Sequence, residues 1–318
     1  MRALLIVNPR ATSTTTAGLE FIVRALSART DLETVETRYR GHAREIAAAA
    51  VREGVDAVLV LSGDGTINEV VNGLMQAAAS RPGDVPTAPA QRLPAIAALP
   101  GGNANVFIRA LGVPGDLAAA VEYVGSRLAA GPTRTIGLGL AGDRYFTFNA
   151  GMGWDAEVVR AVEDLRSHGR RASSALYVWT ALRQYYLATD RRQASLTLKA
   201  GSGAAVDSLA DAIITNTTPW TYVGRHPMSP TPDASFDTGL DLFGLRRLRT
   251  ITTLNSLRQM ARRSGRPPSG KDVVILHDEA ELTIYSQRPI ALQVDGEYVG
   301  EREAVTFRSI PEALRVIA

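Results

Sequence analysis

A glycine-rich segment near the start of the chain carries the residue types best suited to chemistry. Residues 62–74 read SGDGTINEVVNGL, following the apolar run 57–61 and preceding apolar residues at helical spacing. Glycines allow backbone amides to approach a ligand closely, and the amides at a helix start favour an anion. We therefore expect this strand-to-helix turn to form a cradle for phosphate.

Asp64 in the middle of this turn needs a separate explanation. A carboxylate repels phosphate, unless it holds Mg²⁺ on the phosphates or takes a proton from a hydroxyl. Either chemistry would make Asp64 a functional residue. The alternative is a tight turn in which Asp64 is merely solvated.

The elements around this turn indicate how it is positioned. Strand-like runs at 3–7, 32–39, 57–61 and 95–99 alternate with segments of helical spacing. This alternation predicts a parallel sheet with helices on both faces, which binds ligands at the carboxyl ends of its strands. A second glycine turn at 100–105, PGGNAN, follows the fourth run, so we expect both turns to converge on one crevice.

The pattern changes after Gly131-Pro132. Short strand-like runs separated by turn signals continue to residue 307, which predicts an antiparallel sheet or sandwich. Helical stretches are predicted at about 156–166, 172–186 and 248–260. We expect two domains, an α/β domain at 1–130 and a β-sandwich domain at 131–308.

The composition excludes several classes of site. The 318 residues include no cysteine, which rules out disulfides, a thiolate nucleophile and a cysteine zinc site. The four histidines lack metal-ligand spacing, and the net charge of +3 permits an anionic partner without requiring nucleic acid. The N-terminal apolar run is too short for a signal peptide, and no run approaches membrane-spanning length. We expect a cytoplasmic protein that does not bind nucleic acid.

Six motifs in a fixed order resemble one family. They are Asn8-Pro9, SGDGTINEVVNGL at 62–74, LPGGNAN at 99–105, FNAGMGWDAEV at 148–158, ASFDTGLDLF at 234–243 and VDGE at 294–297. Over nearly the whole chain, this set resembles the diacylglycerol kinase catalytic-domain family, which includes bacterial lipid kinases and the sphingosine and ceramide kinases. GDG alone also occurs in phosphofructokinases and NAD kinases, but the ordered set is more specific.

The resemblance implies an architecture and a reaction. It implies a nucleotide-binding α/β domain and a C-terminal antiparallel β-sandwich that receives the lipid, with the active site in the interdomain cleft. The tail 309–318 is expected to return to the first domain. The implied reaction transfers the γ-phosphate of ATP, with Mg²⁺, to the hydroxyl of diacylglycerol or a similar lipid alcohol.

The resemblance also assigns residues to the nucleotide. The implied contacts are Asn8, Arg10, Thr37, Ser62, Gly63, Asp64, Gly65, Thr66, Ile67, Asn68, Gly102, Asn103, Asp295 and Gly296. Ser62 stands where many members have Gly, and Asn103 takes the place of a nucleotide-contacting Thr. Threonine and serine replace the glycines usual after Arg10, which weakens the expected hold of that loop on ATP.

Glu297 is the residue we predict as general base. The family has its catalytic acid at this position of the VDGE motif, and partial burial would suit a base. Asp64 is the competing base, as in the sphingosine-kinase branch. The structural alternative is a plain hairpin turn, because Asp-Gly is a common turn signal.

Substrate and metal residues follow from the same resemblance. Asp155 lies where related lipid kinases place an acid near the acceptor, although a structural acid is the alternative. Asp64 is predicted to hold the catalytic Mg²⁺, and Leu240 to contribute to a structural Mg²⁺ site. Thr238 stands there in place of the family's usual aspartate, with Asp237 one residue earlier.

The sequence is compatible with more than one kind of partner and more than one function. We expect peripheral association with a membrane that holds the lipid, and we keep a homodimer open. The basic and aromatic stretch 160–186 either rests on an anionic membrane, contacts ATP phosphates or is a solvated face. The rival functions are a kinase of a soluble acceptor such as NAD, and a nucleotide-binding protein without catalysis.

Overall fold

The protein forms two compact units. The computed structural model describes residues 1–11, 15–79, 93–131, 134–168, 174–184, 196–262 and 264–318. The first unit comprises residues 1–137 and 312–318, and the second comprises residues 138–311. The predicted domains 1–130 and 131–308 have boundaries a few residues earlier. No helix in the described ranges is long and apolar enough to span a membrane.

A parallel sheet forms the centre of the first unit. Its strands are β1 (Arg2–Val7), β2 (Asp31–Glu36), β3 (Ala57–Ser62) and β4 (Ala95–Pro100), in the order β2-β1-β3-β4. All six residues of β3 and of β4 are buried, as expected for strands covered on both faces. The C-terminal segment returns here, since Val316 pairs in parallel with Ile96.

Helices cover both faces of this sheet, as the sequence predicted. They are α1 (Thr16–Ser27), α2 (His42–Arg52), α3 (Asp64–Ala78), α4 (Val106–Ala110) and α5 (Leu117–Ala130). The strand order reverses at β1, so crossovers of the usual right hand put α1 on one face and α2 with α3 on the other. In agreement, α2 packs on α3 and α1 on α5. Helix α2 packs closely on α3, where a Cβ at Gly73 would lie 2.3 Å from the Arg44 carbonyl oxygen.

The second unit is antiparallel and rich in strands. Its strands are β5 (Arg134–Ala141), β6 (Arg144–Phe146), β7 (Asn149–Gly153), β8 (Leu196–Ala200), β9 (Ala205–Leu209), β10 (Asp211–Thr215), β11 (Thr221–Val223), β12 (His226–Met228), β13 (Leu240–Leu245), β14 (Val273–Glu279), β15 (Glu281–Val294) and β16 (Glu297–Val316). Its helices are α6 (Trp154–Ser167), α7 (Ser174–Arg183) and α8 (Thr250–Met260). Strand β5 begins in the first unit, and β16 ends there.

Strand β15 organises the core of the second unit. Its first half pairs with β8 and its second half with β7, with an irregular stretch between Tyr285 and Ile290. Apolar side chains of both halves, including Ile284 and Leu292, join one buried cluster with residues of β10 and β13. Both halves of β15 therefore contribute to one core, and the predicted antiparallel, β-rich second half is confirmed.

One predicted strand is split in the structure. One of the short strand-like runs after Gly131-Pro132 covers about 145–149 and predicts a single strand, but β6 ends at Phe146 and β7 begins at Asn149. The backbone amides of Thr147, Phe148 and Asn149 donate to the Asp295 carboxylate instead of to a neighbouring strand. The Asp295 side chain, distant in sequence, thus interrupts a segment whose local pattern favours one continuous strand.

Candidate functional site

The ends of β1 and β3 meet at the hydroxyl of Thr66. Asn8 follows β1, and its amide Nδ2 donates to Thr66 Oγ1 at 3.1 Å. Ser62, the last residue of β3, donates its hydroxyl to the same oxygen at 2.8 Å. Three of the predicted nucleotide residues therefore form one small network at the carboxyl edge of the sheet, where open α/β folds bind ligands.

The first turn of α3 presents backbone amides beside this network. Gly63 caps the helix in an extended conformation, and the first amide bonded within the helix is that of Ile67, which donates to the Gly63 carbonyl at 3.3 Å. The amides of Gly65 and Thr66 precede that bond, as in every α-helix start, and can face an anion. The side chains of Ile67 and Asn68 are fully buried, so they support the turn from beneath.

The two glycine turns pack backbone against backbone. A Cβ on Gly102 would lie 2.5 Å from the Gly63 Cα, and one on Gly101 would lie 2.9 Å from the Ser62 Cα. Asn105 holds the second turn closed, accepting from the Gly102 amide at 2.9 Å and donating to its carbonyl at 3.0 Å. The structure thus brings the two turns together, as the sequence predicted.

Asp64 has a structural partner that sequence reasoning missed. Its Oδ2 accepts from the amide of Val106 and its Oδ1 from the amide of Phe107, each at 3.1 Å. These amides belong to the first turn of α4, so Asp64 caps that helix across 42 and 43 residues of sequence. A carboxylate therefore sits in the cradle with part of its charge already offset by backbone donors.

The remaining predicted nucleotide residues of the first unit lie at the same edge. Arg10 follows β1, and its amide donates to Asn8 Oδ1 at 3.0 Å. Thr37 follows β2, and its amide donates to the Val7 carbonyl at 2.8 Å. Asn103 lies exposed in the second glycine turn. The hydroxyl-rich loop predicted to follow Arg10 has residues 12–14 outside the described part of the chain.

In the second unit, Asp295 and Gly296 form the hairpin turn between β15 and β16. Val294 pairs with Glu297, and both turn residues have positive φ, +48° and +76°, which suits a two-residue turn of the Asp-Gly type. The hairpin interpretation of VDGE is therefore correct as local structure. It does not exclude a functional role for the carboxylates that the turn carries.

The Asp295 carboxylate is buried and fully engaged within this unit. It is 4% exposed and accepts from the Thr147 amide at 2.7 Å, the Thr147 hydroxyl at 2.9 Å, the Phe148 amide at 3.0 Å and the Asn149 amide at 3.1 Å. Four donors are enough to satisfy both oxygens of a carboxylate. Asp295 therefore anchors the segment between β6 and β7 to the hairpin turn.

Glu297 forms an ion pair with Arg144. The Arg144 Nη2 lies 2.5 Å from Glu297 Oε2, and the two side chains are 21% and 18% exposed. The predicted base is thus partly accessible and held in a fixed position by a guanidinium. Arg144 was not singled out in the sequence, because it lies 153 residues from Glu297.

Asp155 belongs to a buried polar network. Gln293 Nε2 donates to Asp155 Oδ2 at 2.8 Å and to Asn149 Oδ1 at 2.6 Å, while its Oε1 accepts from the Gly296 amide at 2.9 Å. The Asp155 amide donates to Asp211 Oδ1 at 3.0 Å. Gln293 therefore joins Asp155, the residue predicted to lie near the lipid acceptor, to the turn that precedes Glu297. Apart from its position next to the VDGE motif, nothing in the sequence indicates this role of Gln293.

Burial raises the pKa of both acids in this network. It raises the pKa of Asp155 to about 6, against the lowering effect of the Gln293 hydrogen bond. Burial, and then the charge of Asp155, raise the pKa of Asp211 well above its usual value. Gly151 makes room for this arrangement, since a Cβ there would lie within 2.3 Å of Asp155 Oδ2.

The region predicted to hold a structural Mg²⁺ is organised by other contacts. Leu240 is fully buried in β13, and the Thr238 hydroxyl donates to the Ser235 carbonyl at 3.1 Å. Asp241 accepts from its neighbour His277, with Nδ1 and Oδ1 2.8 Å apart. Among the described residues, no three acidic or histidine side chains come together as a metal site. The contribution of Leu240 to a structural Mg²⁺ site therefore stays a prediction.

The basic stretch 160–186 is only partly described. Arg160 donates to Glu301 Oε1 at 2.9 Å, and its guanidinium lies 5.6 Å from the Tyr298 ring centroid. Arg170, Arg171, Tyr185 and Tyr186 lie outside the described residues, as does the Tyr177 side chain. Arg160 is thus already engaged within the second unit, and the membrane role of this stretch stays a prediction.

Comparison with known proteins agrees with the resemblance. Residues 2–139 match the family model described as diacylglycerol kinase catalytic domain. A diacylglycerol kinase of Bacillus subtilis is 33% identical over 161 residues, which cover 48% of this chain and 46% of that protein. One from Staphylococcus aureus is 30% identical over 153 residues, 46% of this chain and 41% of its own length. The match thus spans less than half the length of these two relatives.

Solved structures extend the likeness to the whole fold. The crystal structure of a diacylglycerol kinase from Bacillus anthracis has a TM-score of 0.69 and 19% identity, covering 99% of this chain and 96% of the other. A further structure from the same organism reaches 0.76 with 20% identity over the same shares. The sequence match to the diacylglycerol kinase catalytic-domain family therefore covers residues 2–139, and the solved structures show that the fold is shared over nearly the entire chain.

Proposed function

We propose that this protein is an ATP- and Mg²⁺-dependent lipid kinase that phosphorylates the hydroxyl of diacylglycerol or a similar lipid alcohol. The observation that carries the proposal is the pair of glycine turns locked together at the carboxyl edge of the first unit's sheet. Residues 2–139, which match the diacylglycerol kinase family model, include both of these turns and the strands that carry them. The proposal extends that partial match to the whole chain.

The cradle suits the phosphates of a nucleotide. Phosphoryl transfer depends mainly on positioning and on neutralising charge, and a helix start with close-packed glycine turns supplies both. The hydrogen bonds that Thr66 makes with Asn8 and Ser62 hold the turn in one conformation. In this assignment the amides of Gly65 and Thr66 bind phosphate oxygens.

Asp64 is the carboxylate of this turn that could bind Mg²⁺. When bound, ATP supplies the phosphoryl group, and Mg²⁺ neutralises charge on its oxygens. Mg²⁺ usually keeps several waters and takes only one or two protein carboxylates besides the phosphates. Asp64 fits such a role, because it lies in the cradle and its carboxylate is oriented by the amides of Val106 and Phe107.

In the second unit we assign Glu297 as the general base. A base must accept the proton of the attacking hydroxyl, and this requires a positioned and partly accessible carboxylate. The ion pair with Arg144 fixes Glu297, and the Asp295 anchor fixes the turn before it. Asp64 remains the competing base in this proposal.

The acceptor is tested directly by transfer of radiolabelled phosphate. Wild-type protein is incubated with labelled ATP and either diacylglycerol in mixed micelles or NAD, and the variants Glu297→Gln and Asp64→Asn are measured beside it. We expect label in the lipid, none in NAD, and at least a hundredfold loss of turnover in Glu297→Gln. Label in NAD alone would favour the soluble acceptor. ATP binding without any transfer would favour a nucleotide-binding protein that lacks catalysis.

A further inference from the structure

The segment 242–271, which contains α8, has an unusual charge. It carries eight Lys and Arg residues and no Asp or Glu, whereas the whole chain has a net charge of only +3. The remainder of the chain is therefore net negative. Such a concentration of one sign on one segment indicates an anionic partner.

Helix α8 also exposes two of its large apolar residues and buries two polar ones, while Leu257 and Met260 pack in the core of the unit. Ile251 and Leu254 are 85% and 54% exposed, while Thr253 and Ser256 are buried. In the described part of the chain, neither buried hydroxyl has a hydrogen-bond partner. Packing within this unit alone would favour burial of the large aliphatic side chains and exposure of the small polar ones. The opposite arrangement is typical of a surface that contacts a partner.

Several exposed arginines lie on helix α8 or next to it in the sequence. Helical spacing places Arg258 on the same face as Ile251 and Leu254. Further exposed arginines flank the helix, and we define the α8 surface as Arg247, Arg249, Ile251, Leu254, Arg258, Arg262 and Arg266. No ion pair among the described residues involves these arginines. Their charge is thus available to a partner.

A depression of about 500 Å³ lies at the C-terminal end of the helix. It is lined by Gln259, Arg262, Ser264, Arg266, Pro267 and Ser269. Guanidinium and hydroxyl donors of this kind suit a phosphate group. The α8 surface therefore combines an apolar stripe with adjacent phosphate chemistry, which is the pattern of helices that lie in a membrane interface.

We propose that the α8 surface docks this protein on an anionic phospholipid membrane. Ile251 and Leu254 enter the boundary between headgroups and acyl chains, and the arginines contact lipid phosphates. A second copy of the chain is a poorer partner, because a two-fold interface at this surface would set arginines against arginines. Nucleic acid is also poorer, because the exposed stripe is aliphatic and offers no ring for base stacking. This inference rests on the proposed function, which requires access to a lipid.

Vesicle sedimentation of the full chain, without ATP, tests the docking surface. The vesicles contain either phosphatidylcholine alone or two parts phosphatidylcholine to one part phosphatidylglycerol. We expect binding to the anionic vesicles only, weakening as salt is raised. The pairs Ile251→Ser with Leu254→Ser, and Arg258→Gln with Arg262→Gln, should each lower vesicle affinity about tenfold or more.

Matched changes at exposed positions elsewhere control for general effects. Val223→Ser removes an exposed aliphatic side chain, and Arg24→Gln with Arg52→Gln removes two charges, so both should leave vesicle affinity unchanged. Equal binding to neutral and anionic vesicles, or affinity unaffected by the α8 changes, overturns the proposal. Loss of a dimer in Ile251→Ser with Leu254→Ser, without a change in vesicle binding, would assign the surface to a second copy.

A water-soluble substrate separates this inference from the proposed function. Dihexanoylglycerol needs no bilayer, so the α8 variants should phosphorylate it at the wild-type rate. If the wild type phosphorylates dihexanoylglycerol but does not bind anionic vesicles, the kinase proposal stands and the docking proposal is wrong. If it binds through α8 and phosphorylates no lipid, the docking proposal stands and the kinase proposal is wrong.

Discussion

Arg144 Nη2 lies 2.5 Å from Oε2 of Glu297, near the start of β16. Four residues further along the same strand, Glu301 pairs with Arg160 at 2.9 Å. The first pair is mostly buried, with side chains 21% and 18% exposed, whereas the second is 43% and 42% exposed. Two acid–arginine pairs on one strand therefore allow the role of Glu297 to be separated from the general effect of losing an ion pair.

Glu297→Gln should lower kcat for lipid phosphorylation by about two to four orders of magnitude, because a glutamine cannot accept the hydroxyl proton. The change keeps the shape of the side chain and a hydrogen bond to Arg144. Glu301→Gln is the matched control and should retain kcat within about twofold, since exposed pairs contribute little. Steady-state kinetics check both, and equal losses in the two variants would contradict the assignment of Glu297 as base.

The raised pKa of Asp155 predicts how the free energy of unfolding depends on pH. Burial raises its pKa from 3.8 to about 6, so the folded state binds this proton more tightly than the unfolded state does. Between pH of about 4 and 6 the folded state therefore holds more protons, and the free energy of unfolding falls as pH rises. The loss across this window amounts to about 3 kcal/mol or less for Asp155, and Asp211 acts in the same direction.

Asp155→Asn should remove most of the free energy that the folded protein loses when the buried Asp155 carboxyl ionises. We expect the variant to be more stable than wild type at pH 8 by about 1–3 kcal/mol, and to depend less on pH between 4 and 6. Urea unfolding at pH 5 and pH 8 measures both. Kinase activity then decides between the two interpretations of this residue, because a purely structural acid would leave turnover unchanged, whereas an acid that contacts the acceptor would not.

Gly102→Ala tests the contact between the two glycine turns. The added Cβ would lie 2.5 Å from the Gly63 Cα, a backbone atom that cannot rotate away, so the turns must move apart. We expect a loss of about 1–3 kcal/mol in stability and at least tenfold weaker ATP binding. Gly115→Ala is the control, because its Cβ would meet nothing within 4 Å. Calorimetric titration with ATP, together with thermal unfolding, measures both variants.

Asp295→Asn tests whether this residue anchors the fold or contacts the nucleotide. Asparagine tolerates the left-handed φ of +48°, but it offers one acceptor oxygen where Asp295 uses two. Donors of the segment between β6 and β7 would lose their partners, at a cost of about 2–4 kcal/mol. Urea unfolding should show this loss, while Asp143→Asn, an exposed position nearby, should show none. Weaker ATP binding in fully folded Asp295→Asn protein would instead support the nucleotide role.

Local sequence patterns predicted the architecture well where a run of neighbouring residues shares the same degree of burial. The continuous apolar runs of β3 and β4 predicted strands covered on both faces, and the glycines after them predicted turns that only a residue without Cβ can form. The two glycine turns converge at one sheet edge because parallel strands place their carboxyl ends together. These inferences need only neighbouring residues and general rules of topology.

Helix α8 shows where local pattern reasoning reaches its limit. Its apolar residues at 251, 254 and 257 have helical spacing, which ordinarily indicates the buried face. The structure instead exposes Ile251 and Leu254 and buries Thr253 and Ser256, while Leu257 is partly buried against the core. The sequence specifies that a helix has an apolar side, but its orientation on the unit depends on how the neighbouring elements pack.

The sequence by itself determined the alternation of strands and helices in the first unit, the glycine turn between β3 and α3 and the family resemblance, since each is written in short contiguous segments. Only the tertiary structure decided what the acids do. Asp64 caps α4, Asp295 holds the segment between β6 and β7, and Glu297 pairs with Arg144. Each of these partners lies more than 40 residues away along the chain. The spacing of residue types carries no information about such contacts, because they form only when packing brings distant backbone amides and charges together.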